Sequence, residues 1–375
     1  MMNVVIVGGG PSGIAAACRI QEKSKLNVTI LEGGCNIGVE GPFKVSSAGV
    51  RLGAQAVSFN VAEAPVASWL NRIEAAETPV IQCFNDEDLS ATLERPQGWN
   101  RLTGQWRHYR LPSGFPGLLQ SMMQTIKGDN VSMICDATVT SLNLLSTEKK
   151  WLVKTTNSLE YRCDALILAI PAVEASKLID PVLDMPKRIL STVMNASMLY
   201  TSRFATLLSI NQDCELGATM LAKFSSEYGR REIDLSNEGA KALTLLAMVP
   251  PVDDVGEGER ATLKFVVHAL SSEAIERAAL VNWLTSWLDI CMGVADSKDL
   301  SMIPIHAEYS QAGFTYTPLS PLPEKKCIVV DNTISAETTM PPIVMCGDWA
   351  AGSASVSGAL LSGERAAISL LELLS

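Results

Sequence analysis

Asn3-Val4-Val5-Ile6-Val7-Gly8-Gly9-Gly10-Pro11-Ser12-Gly13 is an apolar run that closes into a glycine-rich turn. Ile14-Ala15-Ala16-Ala17-Cys18-Arg19-Ile20 follows, so the context is strand, turn and helix, the one in which G-x-G-x-x-G carries meaning. Gly8, Gly10 and Gly13 hold the three glycine positions. The first permits a tight turn, the second removes a side chain that would block a pyrophosphate, and the third lets helix and strand approach. Pro11 and Ser12 then open the helix, whose N-terminal N–H groups and dipole favour negative charge. A second apolar run, Asn27-Val28-Thr29-Ile30-Leu31, ends at Glu32 and Gly33, about 20 residues beyond the glycines, where a ribose-binding carboxylate belongs. The unit is βαβ with a dinucleotide site, and the fingerprint does not distinguish NAD from FAD.

At 375 residues the chain exceeds the length at which one core stops growing, about 250–300 residues, so two domains or interleaved halves are expected. A net charge of −10 and a pI near 5.0 argue against nucleic acid or anionic membrane as partners. Nine scattered cysteines with no C-x-x-C and no Cys/His cluster fit reduced thiols without a metal site, as in a cytoplasmic protein. The N-terminus lacks a basic region before its apolar run, which reads as strand rather than signal peptide. The longest apolar run, Ala165 to Val173, is far short of the ~18 residues of a membrane span.

Further along, a glycine-rich loop follows Gly33, a helix is expected around Trp69, and Pro112-Ser113-Gly114 opens another near Leu118. Short strands are expected at 133–135, 137–142 and 151–155, and Ala165 to Ile170 reads as a strand buried on both faces of a parallel sheet. Between Lys177 and Leu322 the pattern changes to alternating strands at 206–210, 243–249 and 262–268 and a helix over 272–292, a mixed or antiparallel sheet of a different architecture. The chain ends as it began: Ile343-Val344-Met345-Cys346 is an apolar strand, Gly347-Asp348-Trp349 a turn, and 357–374 a helix. If that strand joins the first sheet, Asp348 lies at a strand's carboxyl end, where it can accept from a ribityl or ribose hydroxyl. The helix N-terminus at Val356-Ser357-Gly358-Ala359 then points at what lies beyond.

Cys346-Gly347-Asp348-Trp349 with Val356-Ser357-Gly358-Ala359-Leu360-Leu361-Ser362-Gly363-Glu364-Arg365-Ala366-Ala367 resembles the flavin-closing motif of the FAD-dependent amine oxidoreductase superfamily, and closely that of its renalase branch. Leu52-Gly53-Ala54-Gln55, Leu111 to Phe115, Leu168 to Ala172, Tyr200 to Ala205 and Val267-His268-Ala269 match in the same order. The resemblance implies an α/β fold with a Rossmann-type FAD-binding domain assembled from discontinuous segments, 1–60, 107–175 and 327–375. The implied substrate domain, 61–106 and 176–326, carries a mixed or antiparallel sheet with helices.

It implies that Glu32 binds the adenosine ribose, Val139 contacts the adenine, Leu52-Gly53-Ala54-Gln55 passes the flavin, and Asp348 with Val356 to Ala359 holds its ribityl and pyrimidine edge. Where the family has Gly-Gly-Arg reaching the pyrophosphate, this chain has Gly41-Pro42-Phe43-Lys44, leaving Lys44 as the substitute. Arg51 replaces an acid and is a second candidate for that contact. Ala56 replaces a pocket aromatic, and His306-Ala307-Glu308-Tyr309-Ser310-Gln311 a Trp-Arg pair. The activity implied is oxidation of 2- and 6-dihydro isomers of NAD(P)H by O2, yielding NAD(P)+ and hydrogen peroxide, with His268 positioning the substrate. The alternatives are a flavin oxidase of a small amine and a flavin-binding protein with little turnover. His108 and His306 read as structural or exposed, and Trp349 as either a packing residue or an edge to the flavin.

Overall fold

A strand without a polar interior position needs cover on both faces. β1 (Asn3–Val7) receives it near the centre of a six-stranded sheet in a computed structural model of the chain. The structure describes residues 1–34, 56–75, 82–84, 106–111, 114–126, 128–182, 185–211, 232–234, 243–248, 262–269, 308–316, 323–330, 340–352 and 355–375. β1 pairs in parallel with β2 (Asn27–Leu31) on one side and β10 (Ala165–Leu168) on the other. β6 (Val131–Ile134) extends the sheet beyond β2 and β17 (Ile343–Met345) extends it beyond β10, both parallel. The short β16 (Ile328–Val330) closes the β17 edge in antiparallel fashion. Both ends of the chain therefore meet in one sheet, with β2 and β10 on opposite sides of β1. That reversal of order is the switch point at whose carboxyl edge open α/β sheets bind ligands.

The two faces of this sheet follow the strand period of two. Val5, Val7, Leu31, Leu166, Leu168, Ile343 and Met345 pack with Trp151, Val153 and the helices α4 (Ala172–Ile179) and α5 (Lys187–Met198). Trp151 and Val153 belong to β8 (Lys150–Thr155), the middle strand of a small antiparallel sheet with β7 (Val139–Leu145) and β9 (Glu160–Cys163). The alternate residues Val4, Ile6, Val28, Ile30, Ala165, Ile167, Val344 and Cys346 pack under α1 (Pro11–Lys23) and the closing helix α7 (Val356–Leu374). Each fully buried Val, Leu or Ile here contributes roughly 1.5–3 kcal/mol.

The far side of α1, Ile14, Ala15 and Cys18, is covered in turn by α2 (Ala64–Glu74), α3 (Gly114–Gln124) and a three-stranded sheet of β3 (Ala56–Asn60), β4 (Gln82–Phe84) and β5 (Trp106–Arg110). Trp69 on α2 donates to Glu364 on α7 at 3.3 Å, and the Arg72 guanidinium donates to the Cys18 sulfur at 3.0 Å. Burial raises the Glu364 carboxyl above its usual range, with the Arg19 charge opposing. A separate antiparallel sheet runs in the order β12 (Glu232–Asp234), β13 (Leu243–Met248), β14 (Thr262–Ala269), β11 (Tyr200–Asn211) and β15 (Glu308–Tyr316).

The structure departs from the sequence reading in places. The strand expected at 206–210 begins at Tyr200, and α4, α5 and β9 were not anticipated. The turn after β17 is a one-turn helix, α6 (Asp348–Ala351), because Gly347 permits the abrupt change of direction that starts it. The helix expected over 272–292 lies outside the described residues.

Candidate functional site

The three fingerprint glycines are needed for three different reasons. Gly8 ends β1 with φ +105°, and a Cβ there would collide with the Ala169 carbonyl oxygen from the β10 loop. Gly13 allows the helix to sit on the strand, since its Cβ would strike the Gly8 carbonyl oxygen. Gly10, the N-cap of α1, has φ −74° and ψ −178°, extended backbone open to any residue. Among the described residues no heavy atom beyond its chain neighbours lies within 4 Å of where its Cβ would stand. The empty volume lies at the helix N-terminus, with Pro11 at N1 and the amides of Ser12 and Gly13 ahead of the first helical bond, Ile14 N to Gly10 O at 3.0 Å. Such a terminus is built to take an anion.

Glu32 stands at the carboxyl end of β2, where its carboxylate accepts from Gly9 N at 2.6 Å through one oxygen and from Gly34 N at 3.0 Å through the other. Two backbone donors hold the carboxylate beside the turn, and each oxygen keeps a lone pair for a ligand hydroxyl. A Cβ on Gly33 would come 2.8 Å from Thr138 Oγ1, and half-buried Val139 begins β7 immediately after.

The second terminus arises from β17. Cys346 N bonds Leu168 O at 2.9 Å, which fixes the strand end beside β10. Gly347 follows at φ +157°, where a Cβ would stand 2.5 Å from Trp349 Nε1. Asp348 then begins α6 and accepts from Trp349 N at 3.0 Å. Trp349 is buried and donates from its indole to Ile170 O at 3.1 Å, which gives it a packing role. Ser355 caps α7, taking Gly358 N on its side chain at 3.1 Å and Ala359 N on its carbonyl at 2.9 Å. The Ser357 hydroxyl accepts from Asn60 N at 2.8 Å and donates to Ser58 O at 3.2 Å, so it ties β3 to the helix.

The Ser362 hydroxyl accepts from Gly347 N at 3.1 Å and donates to Lys326 O at 2.6 Å, which holds the turn against the edge strand. Ser362→Ala leaves both backbone groups unsatisfied in a buried place and is expected to cost about 1–3 kcal/mol, read as a lowered urea midpoint.

The second turn of α7 is packed against the start of α1. Gly363 of α7 rests on Ser12 of α1 so closely that a Cβ would collide with the Ser12 carbonyl. Around the same edge, the Tyr200 hydroxyl accepts from Ala172 N at 3.2 Å. Burial raises the Tyr200 pKa, and the Asp348 and Glu174 carboxylates push it the same way. Burial likewise raises Glu174, opposed by Lys177 and reinforced by Glu32.

The structure thus brings Gly8, Gly10, Pro11, Ser12, Gly13, Glu32, Gly33, Gly347 and Asp348 to the carboxyl edge of one sheet, with Val356 to Ala359 at the second helix terminus. Lys44, Arg51, Leu52, Gly53, Ala54 and Gln55 lie outside the described residues. His268 lies on β14, in register with Ala205 of β11 and Leu245 of β13. Among the described residues no His, Cys, Asp or Glu group is arranged to hold a metal ion, and no helix is long and apolar enough to cross a membrane. The sequence reading missed Gly9, Ser355 and Ser362. Ser355 just ahead of a helix is a recognisable cap, whereas Ser362 works through Gly347 and Lys326, distant along the chain.

This is an α/β fold with a Rossmann-type dinucleotide-binding unit. Residues 6–66 match the family described as NAD(P)-binding Rossmann-like domain. No curated protein is significantly similar in sequence. Among solved structures, wild-type putrescine oxidase bound to putrescine is similar over 99% of each chain, with a TM-score of 0.59 at 13% identity. A triple mutant and a double mutant of putrescine oxidase, from a redesign of its cofactor binding, give TM-scores of 0.53 and 0.51 at 14% and 13% identity, again over 99% of each chain.

Proposed function

We propose that this chain binds FAD and acts as a flavin-dependent oxidase of a small molecule, with O2 as electron acceptor and hydrogen peroxide as product. The observation that carries the reading is the α1 N-terminus, clear of described residues over Gly10 and with the Glu32 carboxylate beside its turn, packed through Ser12 against Gly363 of α7. A bound flavin supplies two-electron acceptance and reoxidation by O2. The α1 terminus receives the pyrophosphate, Glu32 the adenosine ribose and Asp348 the ribityl chain. The α7 terminus places its positive end by the pyrimidine edge, where negative charge develops on reduction. Lys44 and Arg51 are the proposed cationic phosphate contacts. The dinucleotide domain comprises 1–60, 107–175 and 327–375, and the rest forms the substrate domain.

For the substrate we propose a 2- or 6-dihydro isomer of NAD(P), on the renalase-like motifs that recur in order from Gly8 to Ala367. The full-length likeness to putrescine oxidase favours a second reading, an amine substrate. Visible spectroscopy of the purified protein with anaerobic titration tests both. A yellow protein bleached by 6-dihydroNAD(P) and restored by air with peroxide release is expected. Bleaching by putrescine or benzylamine instead selects the amine reading, and a colourless protein that takes up no FAD overturns both.

In the dihydronicotinamide reading hydride transfer needs no general base, so the role proposed for His268 is positioning. His268→Ala is expected to retain full FAD and to slow anaerobic reduction about 10–100-fold by stopped flow, about 1.4–2.7 kcal/mol in barrier. Unchanged kinetics would return His268 to a structural role.

A further inference from the structure

Two cysteines face each other where the edge strand meets the strand leading to Asp348. β16 and β17 are antiparallel, with Ile328 opposite Met345, and that register continued by one residue sets Cys327 opposite Cys346. The strands stay together past that rung, because the Ser362 hydroxyl bridges Lys326 O and Gly347 N on its far side. Cys346 N points away from β16 to Leu168 O, and by strand alternation so does its carbonyl. The rung is therefore a non-hydrogen-bonded one, in which Cα atoms are about 4.5 Å apart and side chains lie close. Disulfides span Cα separations of about 4.4–6.8 Å. Both side chains lie on the same face of the sheet, in the layer under α1 and α7.

We propose that Cys327 and Cys346 form a reversible cross-strand disulfide that staples the edge strand to β17, one residue before Gly347. The oxidant is hydrogen peroxide. One thiolate attacks the O–O bond, giving a sulfenic acid and hydroxide, and the second sulfur displaces the sulfenic oxygen as water. In sum two thiols and one peroxide become one disulfide and two waters, the thiols losing two electrons and two protons. Both thiols are buried, at 3% and 0% exposure, and burial raises the pKa of each, so opening of the strands favours the reacting thiolates. β16 is a three-residue strand, paired on one side among the described residues, and short edge strands open at low cost. The pairing stands independently of the oxidase reading, since added peroxide serves as well as peroxide made in place.

The test is peroxide treatment of the full-length folded protein, denaturing quench with an alkylating reagent, and peptide mass spectrometry before and after dithiothreitol. The expected result is a linked Cys327–Cys346 peptide that dithiothreitol separates. Labelling is lost at both positions together and kept at Cys18 and Cys163, buried thiols held elsewhere in the fold. Cys327→Ala should abolish the link and keep Cys346 alkylatable. Full alkylation of both cysteines after peroxide, oxidation of either to a sulfinic acid without a link, or linkage of either to another cysteine would each overturn the proposal.

Discussion

Gly10→Val is expected to leave the protein folded and to empty it of cofactor. The backbone at Gly10 is extended, a conformation valine prefers, and among the described residues no atom beyond its chain neighbours lies within 4 Å of the added Cβ. The added side chain starts from a Cβ at the N-terminus of α1. In the FAD reading this is the pyrophosphate's place, so FAD uptake should weaken about 100-fold or more, about 3 kcal/mol, while circular dichroism and Tm match the wild type. Equilibrium titration of apoprotein with FAD measures it. Undiminished uptake would move the phosphate site away from this turn.

Gly13→Ala should do the reverse and strike the fold itself. Its Cβ would collide with the Gly8 carbonyl, backbone against backbone, and neither partner can yield by changing rotamer. Overpacking typically costs about 1–3 kcal/mol and sometimes more, and the absence of any flexible neighbour places Gly13→Ala at or above the top of that range. A lowered urea midpoint with unchanged slope is the expected signature. Gly10→Ala, measured beside it, should be nearly neutral.

That contrast also marks what can be read from the sequence. The spacing of Gly8, Gly10 and Gly13 and the position of Glu32 carried the turn, the first helix and the acid, because all of these are local to one βαβ unit. The buried strands Val4–Val7, Ala165–Leu168 and Ile343–Met345 were legible as uninterrupted apolar runs, and these meet in the sheet as expected. What stayed hidden was non-local or unsignalled. α4 and α5 begin after Pro171 and Pro186 with no capping side chain, so the strongest start signal was missing. β5, with the sequence Trp-Arg-His-Tyr-Arg, forms a strand because Ala56–Asn60 pairs with it from far along the chain. At the site, Ser362 and Ser357 look like ordinary helical serines until their backbone partners arrive from elsewhere in the fold.

The contact of Gly363 with Ser12 has a further consequence. It fixes the crossing point of α1 and α7, and seven residues at 1.5 Å each set the tip of α7 roughly 10 Å beyond it. The two helices then act as a caliper whose gap neither loop motion nor side-chain choice can adjust. In the FAD reading a mononucleotide would satisfy one jaw only. A ligand long enough to touch both binds its second half as an intramolecular event, at an effective concentration set by the ligand's own covalent tether. In that reading, selection by reach would rest on the contact between the backbones of Gly363 and Ser12.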